Sequence, residues 1–208
     1  MKNLLPLLLI TFLSLPVLSQ DKNPQKEIGL QFNDFDKFGV AFMFGSPESL
    51  WRIDALILKV NELENEYNNA DENITEFGYS ISFGREYRQL VSPTIKLKYG
   101  VSALFGYNLN KKFSESNQSD RPDRKDKKVK YEPGISLLLG IDYQLSESFS
   151  IGVEILPSFQ YIIGKSTVTI YNGYQYKEKF NISGYEYGLN SSQAMLTLSY
   201  KITSPSSK

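Results

Sequence analysis

The chain has 208 residues, enough for one domain, and its 23 basic and 23 acidic residues cancel, which removes any global electrostatic case for nucleic-acid binding. It has no histidine and no cysteine. That excludes the histidine base of common ester-, acyl- and peptide-cleaving sites, the preferred zinc ligands and a disulfide framework.

Met1 and Lys2 precede an apolar run from Leu4 to Leu18, and Val17-Leu18-Ser19 offers small residues where a signal peptidase reads. Residues 1–19 therefore read as a signal peptide, 20–202 as the mature domain and 203–208 as a polar tail. No later stretch approaches the roughly 20 apolar residues of a spanning helix, so any membrane residence is by strands.

From Ile28 onward the chain alternates with period two, an apolar and aromatic parity against a small and polar one. Eight strands are predicted: Ile28 to Phe32, Phe38 to Gly45, Trp51 to Val60, Phe77 to Gly84, Ile95 to Asn108, Tyr131 to Leu145, Phe149 to Tyr161 and Gly188 to Ile202. Short turns are expected at Ser46-Pro47-Glu48-Ser49, around Gln89 to Pro93 and at Ser146-Glu147-Ser148. Long polar loops are expected at Asn61 to Glu76, Asn110 to Lys130 and Ile163 to Gly184. Loop length that alternates with sheet end is the habit of a membrane barrel with short periplasmic turns and long external loops. Within the last loop, Tyr171-Asn172-Gly173-Tyr174 sits between strand-like runs and predicts a protruding hairpin with a type I′ turn.

Alternation alone leaves open a soluble, ligand-binding barrel with its apolar face inward. Glycine argues against it: Gly29, Gly39, Gly45, Gly78, Gly84, Gly100, Gly106, Gly134, Gly140 and Gly152 all share the polar parity. Small residues relieve crowding inside a narrow barrel but only weaken a strand that faces water. Tyr87, Tyr107, Tyr131, Tyr143, Phe149 and Tyr161 near strand ends suit the two bilayer interfaces. The expectation is an all-β, eight-stranded, antiparallel up-and-down transmembrane barrel.

In this pattern the chain resembles the small eight-stranded outer-membrane barrels of the OmpA/OmpX/Opa type and the outer-membrane barrel domains of Bacteroidetes-like bacteria. The resemblance spans the mature chain and includes no signature motif. It departs at the C-terminus, where Tyr200-Lys201-Ile202 gives way to a polar tail instead of a terminal aromatic. It implies a monomer exported to the outer membrane of a Gram-negative bacterium.

On the inward parity the sequence places Arg52, Asp54, Lys96, Lys98, Asp142 and Glu154, all in the periplasmic half of the lumen. A paired network is expected, because an unpaired buried ion costs several kcal/mol. It reads as a structural plug, the alternative being a gated, porin-like path for protons or small solutes. Outside, the second loop is acidic, with Glu62, Glu64 and Glu66 among six carboxylates. The third is basic, with Arg121, Arg124, Lys125, Lys127 and Lys128 among eight cations. The two loops could attract each other or stay solvated. The acidic one could recruit a divalent cation, and the basic one could contact lipopolysaccharide phosphates. No phosphate loop or dinucleotide fingerprint appears, and carboxylate pairs such as Glu64/Glu66 have nothing to fix their separation. No cofactor and no catalysis are expected. The favoured role is structural or adhesive, ahead of a narrow transport or assembly-associated barrel.

Overall fold

The computed structural model describes residues 24–33, 37–67, 70–116, 122–172, 174–188 and 194–202. The expected signal peptide and the polar tail lie outside these residues. Among the described residues ten strands make one antiparallel sheet: β1 (Gln25–Asn33), β2 (Lys37–Ser46), β3 (Ser49–Tyr67), β4 (Ala70–Ser92), β5 (Ile95–Ser116), β6 (Asp123–Gln144), β7 (Phe149–Ile155), β8 (Ser158–Asn172), β9 (Tyr174–Gly188) and β10 (Ala194–Ile202).

The ten strands form a ring of eight. β7 and β8 are one strand interrupted at Leu156-Pro157, where proline has no N–H to give the ladder. Leu139 faces Ile155 below the break and Ser136 faces Ser158 above it, so the register with β6 is unchanged. β9 and β10 together form the eighth strand. β10 pairs with β7 on one side and with β1 on the other, which closes the barrel. Ser158 faces Gly188 and Ile155 faces Ala194, so the register of the eighth strand differs by three residues on the two sides of residues 189–193, which lie outside the described residues.

The closed ring settles which face is which. β1 alternates buried and exposed along its length, with Ile28 and Leu30 outside and Glu27, Gly29 and Gln31 inside. β4 does the same, with Tyr79, Ile81, Phe83 and Tyr87 outside and Ser82, Glu86 and Arg88 inside. Water would penalise such an exterior, whereas hydrocarbon accepts it. A soluble barrel needs the opposite arrangement. Inward glycines let the strands close: a side chain at Gly84 would run into the Val101 carbonyl and Ser102 of β5. Gly45, at φ +146°, lies one residue before the end of β2 in a conformation that L side chains rarely adopt, and a Cβ there would run into the Ser49 carbonyl.

Two aromatic belts bound this exterior. At the short-turn end Tyr87 stacks on Tyr99, Phe149 lies 5.0 Å from Tyr200, and Trp51 stacks on Phe83 under the Arg85 guanidinium. At the other end Tyr79, Tyr107 and Tyr131 form a chain of contacts, and Tyr161 meets Tyr185. Along a strand tilted by about 40°, Tyr131 and Tyr143 are separated by roughly 30 Å, comparable to a hydrocarbon core.

Two of the long polar segments, 61–76 and 110–130, are corrected. Among the described residues they are strand: β3 runs to Tyr67 and β4 starts at Ala70, and β5 reaches Ser116 and β6 starts at Asp123. The third continues above the barrel as the expected protruding hairpin, with β8 and β9 paired to Asn172 and Tyr174. The turn expected around Gln89 lies within β4, and the chain reverses at Pro93-Thr94. The hairpin tip is also corrected. Tyr171 faces Gln175 and Asn172 faces Tyr174, and Gly173 lies outside the described residues. A two-residue type I′ loop would put Tyr171 opposite Tyr174.

Candidate functional site: a sealed lumen beneath an open sheet

The inward parity of β1, β3, β4, β5, β6 and β7 converges on one continuous ionic cluster. Arg52 lies at its centre, 2% exposed. It donates from Nε to Asp54 Oδ1 at 2.7 Å, from Nη1 to Glu86 Oε2 at 2.7 Å and from Nη2 to Glu154 Oε2 at 2.7 Å. Lys98, fully buried, bridges Glu154 and Asp142 Oδ1, the latter at 2.7 Å. On the opposite side Arg88 donates to Glu86 Oε1 at 2.6 Å and grips Glu27 with both terminal nitrogens at 2.7 and 2.8 Å. Asp54 also accepts from Gln31 Nε2 and from the Ser82 hydroxyl.

The structure thus brings together Arg52, Asp54, Lys98, Asp142 and Glu154. Lys96 is only half-buried and lies with Lys201 at the short-turn mouth. Glu27, Glu86 and Arg88 belong to the cluster too, although the predicted strands omitted them. Their signal was the same alternation: Ser80, Ser82 and Gly84 lead by steps of two to Glu86 and Arg88, and Gly29 leads back to Glu27. Ending the fourth strand at Gly84 hid them. Three cations face five carboxylates in the plug, and Lys96 and Lys201 at the mouth restore balance. Every ion is paired, as a low-dielectric interior requires. Met43, Leu50 and Ala41 pack as a small apolar core beside Arg88.

Above the plug the lumen opens into a cavity of about 570 Å³ whose floor is Gln31, Asp54 and Ser82. Its walls mix Leu56, Leu104 and Met195 with Asn108, Glu132 and Lys130. Below the plug a small cavity of about 40 Å³ lies beside Arg88, Lys96 and Asp142. The lumen is a vestibule on one side and a seal on the other.

Beyond the aromatic belt, β3, β4, β5, β6, β8 and β9 continue as one curved six-stranded sheet, while β1 and β2 stop at Asn33 and Lys37. The ring is therefore open above the belt. Among the described residues β9 pairs only with β8, which leaves its other edge free, and its side chains are exposed almost throughout. Tyr174 near the tip is 89% exposed and Tyr171 41%.

A β-bulge between Ile57 and Lys59 moves β3 by one residue. Glu62 and Glu64, which by simple counting share the parity of Arg52 and Asp54, consequently stand on the outer face opposite Thr75 and Asn73. Glu66 lies opposite Asp71 in the same ladder. Lys125 and Lys127 also face outward. Lys128 lines the vestibule, and Arg124 hydrogen-bonds Asp126 on that inner parity. Arg121 lies outside the described residues. The acidic and basic hairpins are joined, since β4 pairs with β5 along their whole length and Lys112 reaches Glu72 at 2.7 Å. In this exposed sheet Asp126 holds the Arg124 guanidinium above its usual range, and Glu178, accepting from the Tyr176 hydroxyl, raises the phenol. Among the described residues no cluster of acidic side chains is arranged to hold a metal ion.

Compared with solved structures, the chain is similar to a major outer membrane protein from Thermus thermophilus, at 11% identity over 86% of this chain and 98% of that one, with a TM-score of 0.52. The fold is that of an outer-membrane β-barrel. Matches also reach CarO of Acinetobacter baumannii, at 10% identity over 86% of this chain and 94% of that one, with a TM-score of 0.31. Ail, the attachment invasion locus protein of Yersinia pestis, matches at 13% identity over 88% of this chain and 100% of that one, also with a TM-score of 0.31. No protein-family model matches the chain, and no curated protein matches it in sequence.

Proposed function

We propose that this chain is an exported, monomeric, integral outer-membrane barrel of a Gram-negative bacterium whose work is surface contact, without catalysis or cofactor. The observation that carries this reading is the open sheet beyond the outer belt. A sheet of six paired strands holds its side chains in fixed rows, and the free edge of β9 offers unpaired backbone groups, two properties of contact surfaces. The sealed lumen supports the same reading, because a plug of paired ions stiffens the barrel that carries the sheet. Kinship with the small OmpA/OmpX/Opa-type or Bacteroidetes-type barrels is part of the proposal and rests on the alternating pattern of the eight barrel strands.

The test removes the hairpin tip at the free edge of the sheet and keeps the barrel. Joining Lys165 to Asn181, which face each other across β8 and β9, through an Asn-Gly turn deletes the hairpin tip. The shortened chain is expected to remain in the outer-membrane fraction with heat-modifiable migration while cells displaying it lose cell–cell and cell–surface adhesion. Adhesion equal to that of the intact chain would overturn the contact role. The vestibule, which penetrates as far as Asp54, favours a second reading in which the barrel conducts small solutes. Steady single-channel conductance in planar bilayers would decide for it.

A further inference from the structure

The registers of β5, β6, β8 and β9 place lysines side by side on the outer face of the open sheet. Lys111 faces Lys127, Lys127 faces Thr167, and Thr167 faces Lys179, forming one row across four strands. In the next row Phe113 faces Lys125, Lys125 faces Thr169, and Thr169 faces Lys177. Lys165 lies one row below, opposite Val129 and Asn181. All six lysines are exposed, and the acidic residues of the same parity on these strands, Glu115 and Asp123, lie at the tips above them. The carboxylates of the outer face are gathered elsewhere, on β3 and β4, where Glu62 and Glu64 stand.

Like charges directly opposite each other weaken a ladder. Lys111 against Lys127 is such a pair, and among the described residues no carboxylate forms an ion pair with either. The grid stands about four residues beyond Tyr131 and Tyr161 of the outer belt, which along a tilted strand is roughly 10 to 15 Å above the hydrocarbon edge. It faces sideways, in line with the lipid-facing surface below it. An anion that meets it there belongs to the surrounding membrane, at headgroup height.

We infer that the six lysines form a docking site for the phosphates of an anionic glycolipid in the outer leaflet around the barrel. Rows of ammonium groups with Thr167 and Asn181 between them supply several charged donors and an interleaved hydroxyl and amide, which suits a headgroup carrying more than one phosphate. The inference rests on the membrane placement proposed above, and it reassigns the basic loop: Lys125 and Lys127 serve the lipid face, whereas Lys128 and Arg124 do not.

The experiment uses the full chain folded in dodecylmaltoside micelles, incubated with diphosphoryl lipid A and read by native mass spectrometry. A lysine beside an anionic lipid surface is worth roughly a factor of five in binding. The variant K125Q/K127Q/K177Q/K179Q is therefore expected to retain lipid A more than tenfold less well while keeping heat-modifiable migration. K128Q/K130Q, which alters the vestibule wall, is expected to retain it as the native chain does, and dephosphorylated lipid A is expected to be lost from all of them. Equal retention by the quadruple variant, an equal loss in K128Q/K130Q, or undiminished retention of dephosphorylated lipid A would each overturn the site. A chain that failed to fractionate with the outer membrane would instead overturn the placement on which the inference rests.

Discussion

The same strands pass through two environments, and β4 shows both. From Gly78 to Arg88 it belongs to a closed ring, alternates strictly between lipid and lumen and buries Glu86 almost completely. From Ala70 to Glu76 it belongs to the open sheet, where Glu72 meets Lys112 with the lysine 43% exposed. The chemistry of the two ion pairs is alike. Ring closure makes the difference: it removes one face from both water and lipid, so that inside each charge depends on its partner, and outside each charge has water as a substitute.

The sharpest way to break this comparison is at Arg52. Arg52→Met leaves Asp54, Glu86 and Glu154 facing one another without their shared cation, and removing one partner of a buried pair typically costs about 3–5 kcal/mol. The expected outcome is a large drop in the urea midpoint of the detergent-folded barrel and loss of heat-modifiable migration at room temperature. A midpoint within experimental error of the native chain would mean that the plug is not a structural element. Arg52→Met with Glu154→Gln removes a charge of each sign and should recover part of the loss.

An intermediate effect is expected from glycine, again with opposite outcomes in the two regions. Gly84→Val pushes a side chain into Val101 and Ser102 of the neighbouring strand, an overpacking that costs about 1–3 kcal/mol. Gly184→Val, in β9, meets nothing within 4 Å and adds a strand-favouring side chain, so its effect is expected to stay within about 0.5 kcal/mol. Equal losses at both positions by denaturant titration would show that closure does not set the tolerance.

The barrel was legible in the sequence because membrane strands must satisfy two solvents at once, which imposes the parity seen from Ile95 to Tyr107 and from Tyr131 to Tyr143. The side of the ring that holds glycine was legible for the same reason. The plug was legible in part: Arg52, Asp54, Lys98, Asp142 and Glu154 could be counted inward, whereas Glu86, Arg88 and Glu27 were lost when the strand was ended too soon. Above the belt both faces meet water, polarity no longer alternates, and Asn61 to Glu76 reads as a loop. There backbone pairing carries the structure, and pairing leaves no mark on composition. A single bulge at Ile57/Lys59 then reverses the faces of β3, which counting cannot foresee.

The smallest effect is expected at Lys112. Lys112→Met removes the cation that meets Glu72 at 2.7 Å, a pair similar in length to Arg52 with Glu86. With the lysine 43% exposed and Glu72 17% exposed, both charges retain water, and exposed pairs of this kind are worth about 0.2–1 kcal/mol. The urea midpoint should therefore move by a small fraction of the shift seen for Arg52→Met. The native value should also approach that of Lys112→Met as salt is raised, because exposed charges are screened over roughly 10 Å at 0.1 M. The Arg52→Met loss should resist salt, since the ions of the plug are buried. If instead Lys112→Met cost several kcal/mol and ignored salt, the outer sheet would be as dry as the lumen, and the distinction between a sealed barrel and an open, water-bathed contact surface would fail.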